Sequence, residues 1–296
     1  MSRRAALLGV GWVTGVWCLT ACLTASAPPP RPQAPAAQPA AQPAAQPEAQ
    51  PVKPAPLSDA EMERFLLKAR VTKSKSAGKG ITGSIRATMT DGTLTHDAHI
   101  QTIDESKREF RSLQGTEFNF RDYWGFNVAG YKIDRLIGLN LVPVSVERRW
   151  KSGLAAYTWW LDDVLMDEQE RLKKKISPPD LEHWNPQMQM VRLFDQLIAN
   201  TDRNLGNLVI TKEWGIWAID HTRAFRTLPT LKYPGNIARC DRQVFARLKQ
   251  LDKATISKAV GIHLTGYEID ALLKRRDAIV TLIEQRGDAG LFDWKR

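Results

Sequence analysis

The sequence predicts an α+β protein with a strand-rich first lobe and a helical second lobe, and its hydrophobic patterning carries that expectation. Residues 81–104 alternate in strand fashion and 141–149 and 155–160 read as further strands, whereas from residue 162 onward the pattern is almost wholly helical. The start of the folded part is also marked, because eleven of the 17 prolines lie between Pro28 and Pro56. The remaining 58–296 is long enough for one two-lobed domain. Residues 1–57 carry Arg3, Arg4, Arg31 and Lys53 against Glu48, so +7 of the net charge of +10 belongs to that domain. A positive field of this kind suits phosphorylated or anionic partners, without a signal for nucleic acid. With only Cys18, Cys22 and Cys240, the chain has neither a disulfide framework nor a Cys-based zinc site.

Ser2-Arg3-Arg4 and the apolar run Ala5 to Ala21 read as an export signal. The run ends in Leu19-Thr20-Ala21-Cys22, which resembles the bacterial lipobox. That resemblance implies a lipoprotein signal peptide over 1–22, acylation (diacylglycerol, palmitate) at Cys22, and a protein tethered in the bacterial cell envelope. The alternative is an uncleaved signal anchor, since Leu7 to Ala27 is about long enough to span a bilayer. A twin-arginine signal fits poorly after Arg3-Arg4. Residues 23–57 are dominated by Ala, Pro and Gln, with too little apolar bulk to offset ordering entropy, and read as a disordered stalk.

Order is expected to resume at Leu57, with Ser58 and Glu61 forming a capping box for a helix to about Arg70. Residues 81–104 alternate around Thr90-Asp91-Gly92-Thr93 and predict a hairpin. A helix over about 123–138 follows, then strands at 141–149 and 155–160. The helices of the second lobe are expected at 162–175, 186–200 (opened by Asn185-Pro186), 240–250, 253–260 and 266–285. The lobes divide as 58–160 and 161–296.

One stretch carries chemistry. The helix ending at Asn200 runs into Thr201-Asp202-Arg203-Asn204-Leu205-Gly206-Asn207. A short strand 208–210, a turn at 212–215 and a second strand then deliver Asp220. Asp202, Asn207 and Asp220 are thus expected beside rigid strands. Phosphoryl transfer needs this set: a carboxylate to take the proton of the attacking hydroxyl, and an amide oxygen with a second carboxylate to hold Mg²⁺. The Asp202–Asn207 spacing matches that of the base and metal-binding Asn in protein kinases.

These residues, with Trp217-Ala-Ile-Asp-His-Thr-Arg-Ala-Phe225, resemble the catalytic region of phosphatidylinositol 3- and 4-kinases, and equally the atypical kinases that include the HipA-like and secreted Golgi-type enzymes. The resemblance implies a bilobal protein-kinase-like fold and an ATP-dependent phosphotransferase, with Asp202 as catalytic base and Asn207 and Asp220 as Mg²⁺ ligands. It also implies that Arg203 braces the loop. The phosphoacceptor (protein, lipid or sugar) is left open.

The first lobe matches the pattern unevenly. Gly78-Lys79-Gly80-Ile81-Thr82-Gly83 fits the glycine-rich loop that covers ATP phosphates. Alignment of Ala98-His99-Ile100-Gln101 places Gln101 where the phosphate-binding Lys belongs, and Asn127 falls at its Glu partner. Two amides able to hydrogen-bond one another thus replace an ion pair, which spares a buried Glu left without its Lys. Lys79 or Arg86, or Lys107 or Lys132 under a shifted alignment, would have to supply the cation. A nucleotide-binding pseudokinase is therefore the alternative function. Trp159 and Trp160 fall at the hinge, where Trp160 is a candidate nucleotide contact. His99, His183 and His263 read as isolated surface or core histidines, Cys240 as a small buried apolar residue, and Lys173-Lys174-Lys175 as a solvated helix end.

Overall fold

A computed structural model describes residues 56–77, 84–112, 115–200 and 203–295. The chain divides into 1–54 and 55–296, and all described residues belong to the second unit. The signal, stalk and Cys22 readings therefore lie outside the described residues. Among the described residues no helix is long and apolar enough to cross a membrane.

Helix α1 (Asp59–Lys68) has the expected capping box, with Ser58 and Glu61 satisfying each other's backbone N–H groups. It ends earlier than predicted, because strand β1 (Arg70–Ser76) follows at once. β2 (Ile85–Thr90) and β3 (Thr95–Gln101) form the predicted hairpin. Its turn is held by Asp91 Oδ1, which accepts Thr93 N at 2.9 Å and Leu94 N at 2.8 Å. A second hairpin, β4 (Asp104–Ser112) and β5 (Gly115–Tyr123), leads into α2 (Gly125–Ile137). β6 (Ser145–Trp150) and β7 (Gly153–Trp159) complete an antiparallel sheet in the order β1-β2-β3-β7-β6. The predicted strand at 141–149 begins later, at Ser145, because Asp134 holds the chain before it: its Oδ1 accepts Leu141 N at 2.9 Å.

One face of this sheet is apolar. Ala87, Met89, Ala98 and Ile100 are fully buried, in a core shared with Phe65 and Leu66 of α1 and with Ile133 and Ile137 of α2. Strand alternation turns His99 and Gln101 to the opposite face. Arg148 on β6 donates to Leu66 O at 2.8 Å and Ala69 O at 2.7 Å, so the carbonyls at the end of α1 are satisfied by a cation.

The second lobe corrects one predicted helix: residues 164–167 form β8 (Val164–Asp167), and only Glu168–Lys173 is helical (α3). β8 pairs with β9 (Leu208–Thr211), which pairs with β10 (Ile216–Ala218). α4 (Leu181–Leu197) starts at an Asp180 cap and not at Asn185-Pro186, and Pro186 lies inside it. α5 (Arg242–Gln250), α6 (Lys253–Val260) and α7 (Gly266–Glu284) fall where predicted. Arg275 of α7 is fully buried and donates to Leu197 O at 2.9 Å and Arg226 O at 3.0 Å, locking the end of α4 to the segment after Asp220. Cys240 is buried as expected, and burial pushes its thiol up.

Asp134 is fully buried, and burial raises its carboxyl from 3.8 to about 6 against the opposing charge of Arg135. A carboxyl raised on folding stabilises the native state fully below its unfolded value and loses that contribution as pH rises through the folded one. Stability relative to an Asp134→Asn variant should therefore decline between about pH 4 and pH 6. Urea denaturation of both proteins across that range checks it, and parallel profiles would refute it.

Candidate functional site

A cleft of about 320 Å³ lies between the first-lobe sheet and the β8–β10 sheet. Val142, Pro143, Val164, Val209 and Ala218 make its walls apolar, and Trp160 and Leu161 border it. His99 and Gln101 line it from β3, and Asn127 from α2. Asn207, Asp220 and His221 also line it. It is a slot suited to a flat apolar ring, with polar groups gathered in one region.

The polar residues are placed by a brace built on Arg203. At the end of α4, Asp195 accepts Asn200 Nδ2 at 3.0 Å and Arg203 Nη2 at 2.6 Å. The same guanidinium donates to Ile219 O at 2.7 Å and to His221 Nε2 at 3.0 Å. Arginine only donates, so His221 accepts at Nε2 and carries its proton on Nδ1. Burial, then the Arg203 charge, holds His221 well below the usual imidazole range, hence neutral. Arg203 thus ties helix, loop and strand exit together, as the motif implied. Asp202 and Thr201 lie outside the described residues, so the base assignment has no geometry.

Asn207 ends a 3₁₀ turn, Leu205–Asn207, in which Asn204 Oδ1 accepts Gly206 N at 2.9 Å. Its Nδ2 donates to Asp220 Oδ2 at 3.3 Å, and its carbonyl accepts Ile219 N at 2.9 Å. Asp220 has φ 56°, a left-handed backbone unusual for a residue other than glycine and of the kind that concentrates at functional sites. Thr222 Oγ donates to Asp220 Oδ1 at 3.0 Å. The two predicted metal residues are thus brought together at the cleft. Among the described residues no three His, Cys, Asp or Glu side chains gather as a metal site. One carboxylate with one amide fits instead a hard cation such as Mg²⁺, which takes few protein ligands and completes its shell with phosphates and water. A flip of the Asn207 amide presents its oxygen beside the carboxylate.

Gln101 and Asn127 both line the cleft, but their oxygens serve the backbone. Gln101 Oε1 accepts Thr102 N at 2.9 Å and Ile103 N at 3.1 Å, and Asn127 Oδ1 accepts His221 N at 2.8 Å. The expected pairing of the two amides is therefore replaced, for these oxygens, by local turn-holding and by a link from α2 to the residue after Asp220. Three of the alternative cations have acidic partners. Arg86 pairs with Asp97 at 2.6 Å and covers the Trp160 ring at 4.2 Å. Lys107 pairs with Glu105 at 3.1 Å, and Lys132 with Glu63 at 2.6 Å. Gly78, Lys79, Gly80 and Gly83 lie outside the described residues; the strands beside them are joined by Ala77 N donating to Ser84 O at 2.9 Å. Trp160 and Trp159 both line the cleft, and Trp159 also stacks on His96 at 3.8 Å.

Three residues escaped the sequence reading. His99 is no isolated histidine: it lines the cleft and is hydrogen-bonded through Nε2 to Ser84 Oγ, and burial lowers its pKa against an opposing pull from Asp220. The alternation of β3, which puts His99 and Gln101 on one face, was its available signal. Asp122 of β5 and Thr222 sit beside Asp220, and burial raises the Asp122 carboxyl, with Asp220 adding to the rise and Thr222 and Arg223 opposing it. No local pattern marks Asp122.

No family model matches the chain, and no curated protein matches it in sequence. Solved structures do. The chain is similar to hydra Fam20 with sugar at 15% identity and TM-score 0.55, over 79% of this chain and 92% of that one. It is similar to the Golgi casein kinase at 13% identity and TM-score 0.53, over 79% and 78%. The same kinase with Mn and ADP bound gives 12% identity and TM-score 0.52, over 79% and 78%. The chain has a bilobal kinase fold. The likeness falls on the Golgi-type side of the motif resemblance and lends nothing to its phosphatidylinositol-kinase side.

The Arg203 brace has a measurable energy. Replacing Arg203 by Met leaves Asp195 charged and nearly buried, which should cost ~3–5 kcal/mol, and a second change, Asp195→Leu, should restore much of it. Denaturant midpoints for the single and double variants check this, and additive losses would refute the coupling.

Proposed function

We propose that this chain is an ATP-dependent phosphotransferase acting on a hydroxyl acceptor. The observation that carries the reading is the Asn207–Asp220 pair beside an apolar slot in a kinase fold. The base ring of the nucleotide lies in the slot against Val142, Val164, Val209 and Ala218, bordered by Trp160. Asn207 and Asp220 hold Mg²⁺, which when bound neutralises phosphate charge. The similar Golgi casein kinase structure with Mn and ADP supports a nucleotide and a divalent cation here. Asp202, five positions before Asn207, takes or orients the proton of the attacking hydroxyl. Arg203 holds Asp220's strand exit in register with that loop through Ile219 O. The apolar walls exclude water from the transferred group.

One observation favours a second reading, a nucleotide-binding pseudokinase serving as scaffold or sensor: the described residues lining the cleft include Gln101, aligned in sequence with the phosphate-binding Lys, and no Lys or Arg. A bacterial envelope lipoprotein, acylated at Cys22 and carried on a proline-rich stalk, is our proposal for its location, supported by the Leu19–Cys22 motif.

Saturating ATP with Mg²⁺ should raise the melting temperature of the purified protein by roughly 5–10 °C at a hundredfold excess over Kd. Asp220→Ala should abolish the rise. Asp202→Ala should keep it and lower phosphate transfer or ATP hydrolysis by about 100-fold or more. No rise in the wild type sinks both nucleotide readings, and a rise without any turnover leaves the pseudokinase. For the anchor, labelled palmitate should be incorporated into the wild type and not into Cys22→Ser; equal labelling would move the lipid elsewhere.

A further inference from the structure

A second cavity, of about 400 Å³, lies beside the segment that follows Asp220. Its lining comes from the β4–β5 hairpin, from Phe126 of α2, from residues 224–227 and from Thr265 and Glu268 at the start of α7. Four cations, Lys107, Arg108, Arg121 and Arg226, line it against two carboxylates, Glu117 and Glu268, which leaves a surplus of two positive charges. Phenylalanine rings share the lining, and apolar walls strengthen the pull of such charges on an anion. The carboxylates do not exhaust the donors. Arg121 gives one of its five N–H groups to Glu268, at 3.0 Å. Glu117 is divided between Arg226 and, at 3.8 Å, Arg223. Lys107 has the exposed Glu105 at 3.1 Å, a pair worth little in water. Arg108 is exposed and has no ion-pair partner among the described residues. Asn119, also in the lining, holds φ 56° inside β5, the kind of backbone that concentrates at functional sites. The cavity adjoins the proposed transfer site at two points. Phe126 lines it while the next residue, Asn127, lines the cleft; and Ala224 N donates to His221 O at 2.9 Å, so one turn leads from the cleft-lining His221 to the cavity-lining Ala224.

We propose that this cavity holds a phosphate group already present on the acceptor, so that the hydroxyl phosphorylated in the cleft belongs to a small phosphorylated polyol, a sugar or glycerol monophosphate. This rests on the phosphotransferase reading and names its substrate class. A phosphate monoester carries about two negative charges near neutral pH and so balances the surplus, whereas a carboxylate leaves half of it unmatched. The planar forks of Arg108, Arg121 and Arg226 suit phosphate oxygens. In the transfer, the bond from the γ-phosphorus of ATP to its bridging oxygen breaks and a bond from that phosphorus to the acceptor oxygen forms; the hydroxyl proton passes to Asp202 and ADP leaves. The body of the polyol has room as well: a further hollow, lined by Pro229, Tyr267 and Lys274, continues from the cavity through Asn119, Thr227 and Thr265, which line both.

Calorimetric titration of the terminal monophosphates of glycerol, ribose and glucose into the full-length, detergent-solubilised protein, with ADP and Mg²⁺ saturating the cleft, tests the site without turnover. At least one should bind, and its unphosphorylated parent should not. Arg121→Gln should weaken that binding about tenfold, the loss of one charge-assisted contact. Because this change leaves Glu268 without its guanidinium, Arg108→Ser, which breaks no ion pair, is the second variant and should weaken binding about threefold or more. Both variants should keep the wild-type rise in melting temperature with ATP and Mg²⁺. Equal binding by wild type and both variants, or no binding of any monophosphate by the wild type, overturns the site and leaves the phosphotransferase reading intact. With ATP in place of ADP, the bound monophosphate should gain a second phosphate, read by mass spectrometry. ATP hydrolysis without that gain overturns the acceptor class, and absence of hydrolysis and transfer together refutes the phosphotransferase reading on which it rests.

Discussion

The geometry of the cleft depends on the Arg203–Asp195 pair. Its two partners are nearly buried, and the arrangement persists because their polar groups are mutually satisfied: Asp195 takes Asn200 and Arg203, and Arg203 also donates to Ile219 O and His221. One cation thereby fixes the helix end, the loop and the strand exit that presents Asp220. His221 is held neutral between Arg203 and the first lobe, and its amide is tied to Asn127 of α2. One contact between the lobes is thus a hydrogen-bonded chain running from Asp195 through Arg203 and His221 to Asn127 of α2.

The amides that replace the expected ion pair change the electrostatics of the cleft. Gln101 is turned to local duty on Thr102 and Ile103, and Asn127 to His221. Both amides are uncharged, and Asp220 is a carboxylate that lines the cleft with them. The domain's excess of positive charge lies outside the described lining of the cleft, which contains no Lys or Arg.

What was legible in the sequence was what short-range rules encode. Capping boxes at Ser58 and Thr265, the Asp91-Gly92 turn and the spacing from Arg203 through Asn207 to Asp220 each span a few residues and carry their own chemistry. β1 was missed because its residues, Arg-Val-Thr-Lys-Ser-Lys-Ser, bury almost nothing and show no alternation. β4 is charged along its length for the same reason. β8 was read as helix because four residues before a true helix share its apolar spacing, and its identity as strand comes from β9, over forty residues away in sequence. Pro186 misplaced the start of α4, since proline often opens helices and here sits inside one. Asp122 meets Thr222 across a hundred residues of chain, a juxtaposition with no local signature.

The sheet order β1-β2-β3-β7-β6 also dictates an order of assembly. The first three strands are joined by successive reversals and find each other locally. β3, however, takes its second neighbour, β7, only after the β4–β5 hairpin, α2 and β6 have intervened, as the pairing of Ala98 with Trp159 records. Until that late strand arrives, the edge of β3 that faces β7 presents unpaired backbone groups, and the loss of loop entropy has to be met before the pairing is gained. The strand that lines the cleft is thus the last in its lobe to be enclosed, and a chain emerging from its N-terminus has no cleft until the hinge itself has followed.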